Sequence, residues 1–380
     1  MTSNIPMKSV RLKSIDIFRG LCMSWMILTH LIDWWITSEY SWLHSLAIMI
    51  FDPIGASGFL FISGVSIALS YRTRLNRVRA SENYTYRMVR NSYLFRALFI
   101  FLIALVYNIP TAIALKNPSM IWTWFVLLTA AISLFLTWPL LKTSKLIRIA
   151  IAITIIVLHL FIVSWLLPFQ GKANIFGLIF HILYNDIDQD PILIFFPFFL
   201  IGTVIGDIIY DVIILSTEEK EITNFKRKFL IPMLLIGFPL IISGIFLNIP
   251  RFLIRESLSW IIYSLGIDIT LLCILISIEK FKILETKKSY KFIFYYSYYS
   301  LTIYLAHNLL YFLLLHQLNL ISIWFFAAIS FFSIGFILRA IFKRWGEKAS
   351  IKVQIGRLSL GLATKIEKRL NKKHSITIKK

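Results

Sequence analysis

Four ionisable residues stand in a stretch apolar enough to cross a membrane, where a spanning helix normally carries none. The stretch reads Ser14-Ile-Asp-Ile-Phe-Arg-Gly-Leu-Cys-Met-Ser-Trp-Met-Ile-Leu-Thr-His-Leu-Ile-Asp33. On an α-helix, Asp16, Arg19, His30 and Asp33 fall within an arc of about 100°. A charge near the bilayer centre costs roughly 2.5–3.5 kcal/mol on insertion scales, so such a stripe faces a protein interior or a wet cavity. The chemistry these residue types support is proton transfer. An imidazole with an unperturbed pKa of about 6.5 is poised as a general base at neutral pH, and a carboxylate such as Asp33 or Asp52 can orient it. A plain Asp16–Arg19 pair at the inner membrane boundary is the alternative for those two residues; His30 lies too deep for it.

The elements that must position these groups follow from composition. Of 380 residues, 58% are hydrophobic and 16% charged, and apolar runs of about 20 residues recur, each long enough to cross a ~30 Å hydrocarbon core as a helix. The predicted fold is all-α, a polytopic membrane bundle of about ten transmembrane helices at 14–36, 43–71, 92–114, 120–141, 147–167, 191–214, 229–248, 258–279, 292–315 and 321–342. The second run includes a non-helical opening around Phe51-Asp-Pro-Ile-Gly55. A net charge of +21 would suggest nucleic acid in a soluble chain, but here the cations sort by loop. One set of alternate loops holds the N-terminus, Arg72–Arg90, Lys142–Arg148, Glu218–Lys228, Lys280–Lys291 and the tail from Lys343; the other holds only Lys116, Lys172, Arg251 and Arg255. By the positive-inside rule both termini are cytoplasmic. The division is residues 1–342 as the integral membrane domain and 343–380 as a basic cytoplasmic tail, either an interfacial helix or a solvated segment. The first span has no small-residue cleavage site, and Cys22 and Cys273 sit in apolar runs, so neither a signal peptide nor a disulfide framework is expected.

Two further stretches bear on chemistry. In the ninth span, Ser300, Tyr304, His307 and Tyr311 share one helical face. His30 lies 16 residues beyond Ser14 and His307 lies 16 beyond Lys291, and both spans run outward. Equal counts at ~1.5 Å per residue place the two imidazoles at similar depth in the outer half of the membrane. A histidine satisfied by a neighbouring carbonyl is the bland reading of His307. The second stretch is Gly55-Ala-Ser-Gly-Phe-Leu-Phe-Ile-Ser-Gly-Val-Ser66, where small residues such as Ser63 and Gly64 permit close helix approach. Packing alone explains that; a thin acyl carrier passing between helices would use the same space.

Arg11-Leu-Lys-Ser-Ile-Asp-Ile-Phe-Arg-Gly20 followed by Met26-Ile-Leu-Thr-His30 resembles the opening of the heparan-α-glucosaminide N-acetyltransferase-like family of membrane acyltransferases. Asp52-Pro-Ile-Gly-Ala-Ser-Gly-Phe-Leu-Phe-Ile-Ser-Gly64 resembles that family's second-helix signature, and the Arg19-x10-His30 spacing is similar to a motif of the broader acyltransferase 3 group. Asp190-Pro191 through Gly206, and Ser300-Leu-Thr-Ile-Tyr-Leu-Ala-His307, are looser echoes.

The resemblance implies transfer of an acyl group, typically acetyl, from cytosolic acyl-CoA to an amine or hydroxyl of a sugar across the membrane. Acetyl-CoA is then the co-substrate, with Arg19, Asp16, Ser63, Gly64, Arg72, Arg74, His307 and Tyr304 as its candidate contacts. The lysosomal branch of the family carries asparagine where this chain has His30, and places its catalytic histidine in the following loop, about where His44 falls. His30 and His44 therefore both stand as catalytic candidates, with Asp33 and Asp52 beside them. A general-base route and an acyl-histidine route remain open. Asp186, Asp188 and Asp190 suit an amino-sugar or polyol acceptor, or form an ordinary solvated acidic loop.

No Walker motif, dinucleotide fingerprint or metal-ligand spacing occurs, so neither a metal nor a nucleic-acid partner is expected. The expected partners are acyl-CoA, a carbohydrate or other small acceptor and the bilayer of the cell membrane; a homo-oligomer is left open. A secondary transporter for a small anion or lipid-linked sugar is the rival reading, which would use buried polar stripes in broken helices. A structural or sensory membrane protein would have no use for two depth-matched histidines.

Overall fold

The computed structural model describes residues 12–81, 84–185, 189–215, 221–249, 251–283 and 290–377. Their architecture is helical throughout. The elements are α1 (Lys13–Trp35), α2 (Trp42–Phe51), α3 (Ala56–Ala80), α4 (Tyr86–Ala114), α5 (Val126–Leu140), α6 (Lys145–Leu166), α7 (Ile175–Leu183), α8 (Ile192–Ile209), α9 (Glu221–Phe225), α10 (Ile231–Leu247), α11 (Leu258–Lys280), α12 (Tyr290–Tyr298), α13 (Ser300–Ala306), α14 (Ser322–Trp345) and α15 (Ile351–Thr377). Their starts follow ordinary capping chemistry. Thr85 accepts from the Met88 amide, Ser144 from Ile147 and Ser257 from Trp260, each side-chain oxygen satisfying a donor that has no intrahelical partner.

Eight of these helices are long and apolar enough to cross a membrane, namely α1, α3, α4, α6, α8, α10, α11 and α14. The expected count of ten is thus not what the helices alone provide. The fourth expected span contracts to α5, whose 15 residues reach about 22 Å. The ninth is broken: α12 stops at Tyr298, Tyr299 leaves helical geometry with φ −97° and ψ 19°, and α13 gives way to a 3-10 turn at His307–Phe312. The interruption in the second span falls where Asp52-Pro-Ile-Gly suggested it, as a 3-10 turn between α2 and α3.

Helix α8 is buried along most of its length and forms the axis of the bundle. Its contact with α3 is backbone on backbone. A Cβ on Gly64 would collide with the Phe199 carbonyl oxygen, and one on Gly202 with that of Phe61. Around this axis, α4, α6, α10 and α14 turn exposed apolar residues such as Ile113, Phe161, Phe246 and Phe336 outward, the all-round hydrophobicity expected of helices that meet lipid.

The C-terminal segment does not hang free over its described length. It forms α15, which packs along α4, buries Ser359 and Ala363 and accepts a bond from the Thr85 hydroxyl on Glu367 Oε1 at 3.0 Å.

One set of local contacts fixes the C-terminal end of α1. Trp35 Nε1 donates to the Leu310 carbonyl at 2.8 Å, His316 N to Trp34 O at 2.9 Å, Leu318 N to Trp35 O at 2.8 Å and Thr37 N to Leu318 O at 2.9 Å. The segment that follows the broken helix is thereby stitched to α1 by its backbone, in a short parallel bridge between Ile36 and Leu318.

Candidate active site

His30 and Trp34 sit one turn apart on α1 and stack with ring centroids 4.9 Å apart and an interplanar angle of 15°. Opposite them, the 3-10 turn after α13 delivers the His307 ring to 5.0 Å from His30 and 5.7 Å from Trp34. Tyr311 closes the edge of Trp34 at 5.7 Å. The His307 Nδ1 lies 2.6 Å from the Tyr304 carbonyl oxygen. A carbonyl can only accept, so Nδ1 carries the proton and Nε2 presents a lone pair. His307 is buried, whereas His30 is half-buried and makes no hydrogen bond among the described residues. Behind His307, the Tyr304 ring packs on Tyr107 at 5.2 Å. The two depth-matched histidines therefore meet, and the bland carbonyl contact of His307 is present as well: it occupies one ring nitrogen and leaves the other.

An acid–guanidinium network lies alongside. Arg255, just before α11, donates from Nε to Asp52 Oδ2 at 3.0 Å, from Nη2 to Asp190 Oδ1 at 2.6 Å and from Nη1 to the Gln189 carbonyl at 3.0 Å, with Glu256 at 3.7 Å. Burial works against the Arg255 charge, but Asp52, Asp190 and Glu256 outweigh it and raise its pKa above the ordinary value. Burial raises the Asp190 carboxyl, and the neighbouring Arg255 only partly opposes this. The Asp190 backbone is itself pinned: its amide donates to Trp124 O at 2.7 Å and its carbonyl accepts from the Thr129 hydroxyl. Asp52 is carried by the 3-10 turn after Phe51, whose ring rests on Trp25 of α1 at 4.8 Å.

Several expected partnerships are redrawn. Asp33 does not orient His30: it is exposed and faces His44, with Oδ1 3.4 Å from the His44 Nδ1. Asp52 is committed to Arg255 rather than to an imidazole. Arg19 lies eleven residues before His30, about 16 Å down the helix, where its guanidinium donates to the Ser66 hydroxyl; it does not share the histidines' surroundings. Asp16 accepts from the Ser297 hydroxyl at 3.2 Å. Arg72 is held by Asp211 at 2.5 Å and lies over the Tyr210 ring, while Arg74 donates to Ser92 at 3.1 Å. Ser63 is half-buried on α3, and Gly64 beside it is pressed against α8. Asp186 and Asp188 lie outside the described residues.

Sequence reasoning missed Arg255, although its position as one of few cations in the outer loops was a usable signal. It also missed Asp268. This carboxylate is fully buried in the middle of α11, beside Gly58, and neither oxygen has a hydrogen-bond partner among the described residues. The buried ion pair of Arg148 with Asp207, supported by Thr203 at 2.9 Å, was likewise not anticipated.

The family model of heparan-alpha-glucosaminide N-acetyltransferase, catalytic, matches residues 11–252. That stretch contains His30, Asp33, His44, Asp52 and Asp190; Arg255, Tyr304 and His307 lie beyond it. No curated protein matches the chain. Because the match spans well over half of the sequence and begins at the motif around Arg19 and His30, the chain belongs to the heparan-alpha-glucosaminide N-acetyltransferase catalytic family, a family of membrane acetyltransferases.

Proposed function

We propose that this protein moves an acetyl group from acyl-CoA on the cytoplasmic side to an amine or hydroxyl, in the first instance of a sugar, on the opposite side. The observation that carries the reading is the contact of His30 with His307, in which the Tyr304 carbonyl keeps the His307 proton on Nδ1 and Nε2 of the neutral ring retains its lone pair. In the general-base route, that nitrogen takes the proton of the acceptor N–H or O–H as it attacks the thioester carbonyl. A C–N or C–O bond forms, the C–S bond breaks, and the imidazolium returns the proton to the departing CoA thiolate. The neighbouring His30 could instead take that proton, or take the acetyl group itself: its ring N–C bond forms as the C–S bond breaks, the ring proton goes to the CoA thiolate, and the acceptor then displaces the imidazole, passing its own proton to it. His44, paired with Asp33, stands as the competing base because a carboxylate orients it. The Asp52–Arg255–Asp190 network offers fixed charges for an acceptor's hydroxyl or ammonium groups.

The topology that goes with this reading has both termini in the cytoplasm, with α5 and the α12–α13 pair completing ten crossings and α15 on the cytoplasmic side. The site's imidazoles then lie in the outer half of the bilayer and the basic loops at the donor side.

The test is incubation of the purified protein in detergent with labelled acetyl-CoA, with and without glucosamine. Acceptor-dependent release of CoA is the expected result; no thioester cleavage under any acceptor overturns the proposal. One observation favours a second reading, the secondary transporter: a helix broken at Tyr299 beside buried polar groups is a feature such proteins use to bind ligands. Uptake of glucosamine into liposomes without CoA release would select it.

A further inference from the structure

Beyond the end of α4, three asparagines line one cleft of about 850 Å³, walled by the turn at 117–120, the loop at 170–173 and α7. Each amide is pinned at one end by the backbone. Asn117 Oδ1 accepts from the Ser119 amide at 3.1 Å and Asn174 Oδ1 from the Gly177 amide at 2.7 Å, so each keeps an Nδ2 donor without a partner among the described residues. Asn185 is the reverse case. Its Nδ2 donates to the Trp122 carbonyl at 3.1 Å, which leaves Oδ1 as an acceptor unpartnered among the described residues, although Asn185 is buried. Asn174, Leu178, His181 and Asn185 recur at helical spacing, so one face of α7 and its two flanks lines the cleft. The His181 ring makes no hydrogen bond among the described residues.

Local structure explains each asparagine singly. Asn117 and Asn174 cap helical turns, and Asn185 takes φ 57°, which asparagine tolerates. It does not explain why all three unpaired ends open into one space of a size that holds a ligand. A sugar hydroxyl donates and accepts at once, so it is matched by fixed donors and acceptors set side by side. The amides carry no charge, which suits hydroxyls rather than an ion, and Leu178 and Phe180 offer apolar surface to the CH face of a sugar ring.

The cleft is also tied to the imidazole site. Asn108 Nδ2 donates to the carbonyls of Ile121 and Thr123, each at 2.9 Å, and so holds the segment that Asn185 grips at Trp122. Tyr107, next to Asn108, packs on Tyr304 at 5.2 Å, one turn before His307.

We propose that this cleft binds a saccharide chain through its hydroxyls, with Asn117, Asn174, His181 and Asn185 as the contacts. Its use for the distal sugars of an acetyl acceptor rests on the acetyl-transfer reading; the cleft itself does not.

The experiment uses the full-length protein in phosphatidylcholine nanodiscs and follows binding of triacetylchitotriose, a neutral trimer of N-acetylglucosamine, by saturation-transfer NMR. The variants are His181→Ala, Asn185→Gly, which keeps the left-handed backbone and removes the amide, and Leu178→Trp, which fills the cleft from an exposed position. Arg87→Gln, exposed at the start of α4, is the control. The wild type and the control are expected to bind, with affinity about three- to tenfold lower in His181→Ala and Asn185→Gly and lower still in Leu178→Trp. No binding by the wild type, or folded variants that match it, overturns the cleft; His181→Ala and Leu178→Trp decide if Asn185→Gly does not fold. In acetyl transfer, a glucosamine trimer should show a lower KM than glucosamine, and the variants should shrink that difference. Trimer binding that the variants lose, without any acetyl transfer, would leave the cleft standing and remove the proposed activity. Transfer with equal KM for monomer and trimer would remove the acceptor assignment and leave the activity.

Discussion

The ring of His307 lies 5.0 Å from that of His30, brought there by a turn that begins where α13 ends. One ring is anchored through Nδ1 to a carbonyl and the other has no hydrogen bond among the described residues.

Replacing either ring should therefore separate chemistry from folding. His30→Ala and His307→Ala are each expected to lower kcat at least ~100-fold while the protein still elutes as a folded species. His44→Ala is the competing case. A loss of that size in His44→Ala with near-normal activity in His30→Ala would move the base to the Asp33–His44 pair.

Arg148 and Asp207 form a buried ion pair, and removing the arginine leaves Asp207 with only the more distant, partly exposed Arg72 at 4.0 Å. Arg148→Ala should destabilise the protein by about 3–5 kcal/mol, and the double change Arg148→Met with Asp207→Met should recover most of it. Thermal unfolding of Arg148→Met, Asp207→Met and the double variant, beside Arg148→Ala, measures this; additive losses in the double variant would contradict the pairing.

Gly64→Ala should lower stability by about 1–3 kcal/mol or more, because the added methyl group meets the Phe199 carbonyl across the α3–α8 contact. Gly361→Ala, on α15 with open space around it, should be neutral or gain about 0.4–1 kcal/mol. Equal behaviour of the two variants would mean that α3 and α8 do not touch at Gly64.

The two-sided arrangement is tested in vesicles. External acetyl-CoA should be consumed by inside-out vesicles and spared by right-side-out ones. A cysteine introduced at Lys172 should react from outside intact cells and one at Arg79 should not; Cys22 and Cys273 are buried and give little background. Reaction at Arg79 alone would invert the topology.

The meeting of His30 and His307 was legible in the sequence, where His30 lies 16 residues beyond Ser14 and His307 lies 16 beyond Lys291 in two spans expected to run the same way. Their precise partners were not. A shared helical face suggested that Asp33 attends His30, but α1 is near its end there, and Asp33 turns out toward His44 instead. The break at Tyr299 escaped notice because hydropathy averages over a window and takes no account of backbone angles; no proline or glycine marks the site. The family resemblance concentrated at 11–71 carried further than its residues alone, since the family match extends through residue 252.

The backbone stitch between the end of α1 and residues 310–318 has a mechanical consequence. Helices in a bilayer tilt and shift as its thickness changes, and a site assembled only from side chains on separate helices would loosen with each adjustment. Here the strand-like bonds make the C-terminal end of α1 and the chain following His307 a single clamp. The spacing between the imidazoles thus travels with the clamp, so a membrane of different thickness reorients the pair as a unit without pulling it apart.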